Sequence, residues 1–118
     1  MDDRSTKITI AGKEYELVFT TKATKDVSKK YGSLEKMGEV LKEQGVDESL
    51  NDVVWLVTLL ANQGIMRKNM LENKNEPLLT TEQVEILTTP GDYNAFSEAL
   101  REAIVKGTQR FVQSEAKN

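Results

Sequence analysis

Residues 6–20 read TKITIAGKEYELVFT, and their apolar side chains recur at every second position: Ile8 and Ile10, then, past a glycine, Tyr15, Leu17 and Phe19. A period of two gathers one set of side chains on one face of a strand, so this segment is a β-hairpin. A Gly12-Lys13 loop pairs Ile10 with Tyr15 and Ile8 with Leu17, whereas an Ala11-Gly12 loop sets Ile10 against Lys13. The first is the expected register, on the ground that it alone puts all the apolar residues on one face. Glycine at the first loop position suits a type II′ turn, and a four-residue loop over 11–14 would keep that register. Two strands alone are marginal in water. The apolar face must therefore rest on helices or gain a strand from another chain through an open edge.

From residue 21 onward the period changes to that of a helix. Thr20 or Thr21 caps a first helix carrying Ala23, Val27 and Tyr31 at spacing four, and Gly32 ends it. Ser33 caps a second, with Leu34, Met37, Val40 and Leu41 as its buried stripe, Gly38 inside it and Gly45 at its end. A third starts at Ser49, with Asp52 as the far half of a partial capping box, and runs to about Leu71. It is apolar nearly all round from Val53 to Leu60, the pattern of a central helix contacted on several sides. Residues 73–80 (NKNEPLLT) form a loop. Thr80 with Gln83 then reads as a capping box for a short helix carrying Val84, Ile86 and Leu87, ending before Pro90. Asp92 caps the last helix, whose stripe is Tyr93, Phe96, Leu100, Ala103, Ile104, Gly107 and Phe111. The expected fold is α+β and mostly helical: an N-terminal two-stranded hairpin (6–20) followed by about five helices (21–113) around a central apolar one. Residues 1–118 form a single domain with a frayed tail at 114–118.

The chain has 118 residues, 38% hydrophobic and 30% charged, with no Cys and no His. A chain of this length buries enough surface to fold without disulfides or metal. Lacking His and Cys, it has no residues for a Ser-His-Asp or Cys-His nucleophile, a CxxC redox pair or a zinc or copper site of the usual kind. The net charge is -3, and both halves are slightly acidic, so neither suggests a nucleic-acid partner. The opening MDDRSTK is charged and not followed by an apolar core, so no signal peptide is expected, and the longest apolar-rich stretch, 53–66 (VVWLVTLLANQGIM), is too short to span a bilayer.

Candidate chemistry is sparse. Lys22, Lys25 and Lys29 share one helix face, with Lys30 beside them, but neither an arginine fork nor a stacking aromatic is interleaved, and a solvated face is the simpler reading. The carboxylate pairs Glu14/Glu16, Glu82/Glu85 and Glu98/Glu102 fall on polar faces, where water keeps both members ionised. No glycine-rich phosphate loop is present. Trp55, Met66 and Met70 read as core of the central helix. Harder to place in a core are Leu78 and Leu79, adjacent in a loop, and Val105 and Val112, off the main stripe of the last helix. No catalytic, cofactor or metal residues are expected.

The order of parts resembles the tail assembly chaperones of long-tailed bacteriophages and prophages. The resemblance is carried by residues 8–19 (ITIAGKEYELVF), 30–34 (KYGSL) and 79–84 (LTTEQV), together with a long apolar helix containing a Trp and a closing amphipathic helix. It covers nearly the whole chain, through structural punctuation and not active-site residues. It implies a non-enzymatic protein that binds the tape-measure protein and keeps it soluble while the tail tube polymerises. The tail tube protein is a second candidate partner, and copies could associate through the hairpin edge. The implied location is the cytoplasm of the bacterial host, outside the mature virion, with no nucleic acid, membrane or cofactor involved. On that reading Leu78, Leu79, Val105, Phe111 and Val112 contribute the partner-binding surface, since an apolar face suits amphipathic helical segments. The alternatives are a structural tail or connector subunit of the virion, and a small nucleic-acid-binding regulator using the lysine face.

Overall fold

The computed structural model describes the backbone of residues 5–43 and 46–116 and the side chains of 6–39 and 50–108. The hairpin comprises β1 (Ser5–Ile10) and β2 (Lys13–Val18), paired antiparallel. Its register differs from the expected one: Ile10 faces Lys13, Ile8 faces Tyr15 and Thr6 faces Leu17. The loop is Ala11-Gly12, with φ of 53° and 80°, the two positive values a type I′ turn requires and the geometry that matches strand twist. Facing does not distinguish the two registers. They differ by two residues, and a shift of two changes partners but leaves every side chain on its own face. Ile8, Ile10 and Leu17 are buried in the register adopted.

Five α-helices follow among the described residues: α1 (Thr21–Tyr31), α2 (Leu34–Glu43), α3 (Val46–Glu72), α4 (Thr81–Leu87) and α5 (Tyr93–Ala116), with a single 3-10 turn at Pro90–Asp92 before the last. The fold is thus α+β and mostly helical, as the periodicity implies. Thr20 Oγ1 accepts the Ala23 N–H at 3.0 Å, and Gly32 turns left-handed at φ 97° to close α1 on Ser28. Ser33 Oγ accepts the Lys36 N–H at 3.1 Å at the head of α2. The Thr80/Gln83 capping box of α4 is formed in both directions, at 2.9 and 3.0 Å.

Two aspartates do other work than expected. α3 begins at Val46, so Asp52 lies inside it and accepts a hydrogen bond from the Tyr31 hydroxyl. The Asp92 carboxylate accepts the Thr89 N–H at 2.9 Å and so closes the 3-10 turn, not α5. α5 runs through Ala116, past the expected boundary at 113. Val40 and Leu41 of the expected α2 stripe, and Gly45, lie outside the described side chains.

α3 is the axis of the molecule. Leu56, Val57, Leu60 and Ala61 have no exposed surface, and Val53 and Val54 have little. β2, α1, α2, α4 and α5 all pack against it. Two glycines set how closely helices approach the hairpin. A Cβ at Gly64 of α3 would stand 2.3 Å from the Glu16 carbonyl oxygen, and one at Gly107 of α5 would stand 2.9 Å from that of Phe19. Glu16 sits opposite Lys7, a position whose backbone groups point away from the partner strand. α3 therefore closes the outer edge of β2, while α5 packs against β1.

Candidate interaction surface

Burial separates the five residues singled out for partner binding. Leu79 packs partly buried against the core. Leu78 and Val105 are 46% and 45% exposed, on the loop and on α5 respectively. The side chains of Phe111 and Val112 lie outside the described residues.

Four larger exposures were not anticipated: Met70 at 82% and Leu71 at 70% near the end of α3, and Ile86 at 74% and Leu87 at 48% on α4. Met70 is thus surface and not core, while Trp55 and Met66 are half-buried. Twenty-seven residues make α3 about 40 Å long, and Met70 and Leu71 lie on parts of its last two turns that no neighbouring element of the described fold covers. For α4 the signal was brevity: two turns bury one line of side chains, and Val84 occupies it fully.

The segment between α3 and α4 doubles back along α3 and is held there by two asparagines. Asn62 Nδ2 donates to the Leu79 carbonyl at 2.8 Å while its Oδ1 accepts the Leu79 N–H at 2.7 Å. Asn69 holds Glu76 in the same two-bond manner, each at 3.0 Å. The spacings match: seven helical residues rise roughly 10.5 Å, and three extended residues cover roughly 10 Å. Asn62 and Asn69 thus form a two-rung ladder that grips main chain, independent of the side chains it carries.

Two open clefts flank this arrangement. One, of about 250 Å³, lies between α3 and the end of α4, with Leu50, Val54, Glu85 and Tyr93 in its wall. The other, of about 310 Å³, lies between the hairpin and the C-terminal half of α3. Cations and carboxylates alternate in the second, with Lys7 near Glu14 at 3.9 Å and Glu76 near both Lys13 and Lys68 at 3.9 and 4.0 Å. Such exposed pairs are screened by water and present no field of one sign. Neither cleft is lined by Leu78, Leu79 or Val105.

The lysine face is divided. Lys22 pairs with Asp26 at 3.2 Å, and Lys30 lies over the rings of Tyr31 and Trp55, 5.6 and 5.0 Å from their centroids. Of the carboxylate pairs, only Glu16 is even half-buried, and Glu102 accepts a hydrogen bond from Thr6 at 3.1 Å. Among the described residues the one strongly shifted group is Tyr31. Burial first, then the Asp52 carboxylate as acceptor and as negative charge, raises its phenol well above its ordinary value near 10. Among the described residues no cluster of Asp and Glu is arranged to hold a metal ion, and no helix is long and apolar enough to cross a membrane. Comparison of the chain with protein-family models, curated proteins and solved structures finds no match.

Proposed function

We propose that the protein is a non-enzymatic tail assembly chaperone of a long-tailed phage or prophage, which holds the tape-measure protein in the host cytoplasm while the tail tube forms. The observation that carries this reading is the set of large apolar side chains left in water on a molecule with a closed core: Met70, Leu71, Leu78, Ile86, Leu87 and Val105. Exposed apolar groups in such number suit a surface that meets amphipathic helices. The sequence resemblance over 8–19, 30–34 and 79–84 names the partner. The tail tube protein is a second candidate.

Leu78→Asp with Val105→Asp tests the surface, since both side chains are about half exposed and neither belongs to the core cluster. The double variant should lose co-purification with a tape-measure fragment while helical circular dichroism and melting stay at wild-type values. Retained capture would remove these two residues from the surface. Recovery of the protein from purified particles would favour a structural tail or connector subunit instead.

A further inference from the structure

The segment 73–89 is held to α3 by little apolar burial. α4 has seven residues, too few to be stable as an isolated helix, and only Val84 of its apolar side chains is buried. The loop before it buries part of Leu79, while Lys74, Asn75, Pro77 and Leu78 are exposed. What holds it is polar: the two asparagine rungs, the Lys74 N–H on the Asn69 carbonyl at 3.0 Å, and the Thr80/Gln83 box. Each such bond exchanges for one to water and contributes little net. Nor is the segment sealed down, because the 250 Å³ cleft lies between its end and Leu50 and Val54 of α3. By contrast, α5 buries Phe96, Ala99, Leu100 and Ala103.

From this we infer that residues 73–89 form a detachable cover over α3, and that the face beneath docks a partner segment of the same pattern. That pattern is an extended lead-in gripped through its main chain by Asn62 and Asn69, a leucine at the position of Leu79, then an amphipathic turn of helix with one small aliphatic anchor at the position of Val84. The cover itself is the argument for this occupant, since it shows what chemistry the face accepts. Detachment then couples to binding, because a partner segment takes the face only when the cover leaves it. The inference deepens the binding reading above and rests on it for the partner, though not for the opening.

Hydrogen exchange on the full chain tests the opening. Amides of 76–87 should exchange roughly tenfold or more faster than those of 56–61 and 100–103. Val84→Ala, which weakens the cover and leaves α3 untouched, should speed exchange of 76–87 by roughly another tenfold without altering the other two segments. Thr80→Ala, which removes the cap, should act in the same direction. The docking face is tested with a fluorescent synthetic peptide copying residues 73–89, which should bind the Val84→Ala protein roughly tenfold tighter than wild type, where the intact cover competes. Exchange of 76–87 only together with 56–61 and 100–103, or equal peptide binding to the two proteins, would overturn the proposal. If the peptide binds as expected and a tape-measure fragment does not compete with it, the docking face stands but its occupant is not the tape-measure protein, whose binding to the exposed apolar surface is decided separately by the Leu78→Asp/Val105→Asp variant.

Discussion

At the scale of single residues, Tyr31 shows how one side chain ties two helices together and leaves a measurable signature. Its hydroxyl crosses from α1 to the Asp52 carboxylate on α3, and its ring meets Trp55 edge-on with centroids 6.0 Å apart. Replacing it by phenylalanine removes one hydrogen bond and leaves a half-buried carboxylate without that donor, at a cost of about 1 kcal/mol. The pH dependence separates this from a packing effect. The folded phenol titrates above its ordinary value near 10, so the folded state holds its proton more tightly than the unfolded chain. The stabilisation is complete below about pH 10 and is lost as pH rises from there through the folded value. Urea melts of wild type and Tyr31→Phe should therefore differ by a constant amount from pH 7 to 9 and converge above pH 10. A gap that stays constant to pH 11 would mean that the phenol is not shifted. The sequence put Tyr31 on the buried stripe of its helix, since spacing alone fixes that, but assigned Asp52 to a cap. Capping signals are local, whereas the partner of Asp52 stands 21 positions away in the chain.

Among the secondary-structure elements, the contrast between two helical glycines carries a prediction. Gly38 of α2 has open space where a Cβ would go, while Gly64 of α3 lies against the β2 backbone. Gly38→Ala should stabilise the protein by about 1 kcal/mol, the ordinary helix-propensity gain. Gly64→Ala gains the same propensity but forces helix and strand apart, and should be net destabilising by about 1–3 kcal/mol or more. Thermal melts of the two variants should move in opposite directions; a shift of the same sign would mean that α3 does not touch β2 through Gly64. Nothing in the sequence distinguishes the two positions, because both are glycines within helical patterns. The element boundaries that were legible are those set by local chemistry: Thr20 and Gly32 around α1, Ser33 before α2, and Thr80 with Gln83 before α4. The hairpin register was not, because both loops satisfy the same facial pattern and the choice fell to turn geometry at Ala11 and Gly12.

For the whole molecule, α3 joins every layer, so damage to its core should be felt everywhere outside the cover. Leu60, with no exposed surface, should cost about 2–5 kcal/mol when cut to alanine. The single Trp, Trp55, sits at the α1–α3 contact and reports on tertiary packing there. In the Leu60→Ala variant its fluorescence and far-ultraviolet circular dichroism should fall together at a lower urea concentration than in wild type, as one cooperative transition. A fluorescence midpoint left at the wild-type value would separate α1 from the α3 core.

By itself the sequence determined the class of fold, the order of its elements and the identity of the central helix, because apolar period and end-capping act within a few residues of chain. It also determined which chemistries are closed to the protein, since His and Cys are absent. Tertiary structure alone decided which apolar side chains remain in water. Leu78 was legible as an apolar residue in a loop and Ile86 and Leu87 as apolar residues of a helix too short to bury them, but Met70 and Leu71 follow a helical pattern no different from buried ones, and only the positions of neighbouring elements leave them uncovered. The asparagine ladder belongs to the same group. Asn62 and Asn69 became a grip only because the chain turns back at the end of α3 and lays its own backbone within hydrogen-bonding distance of them.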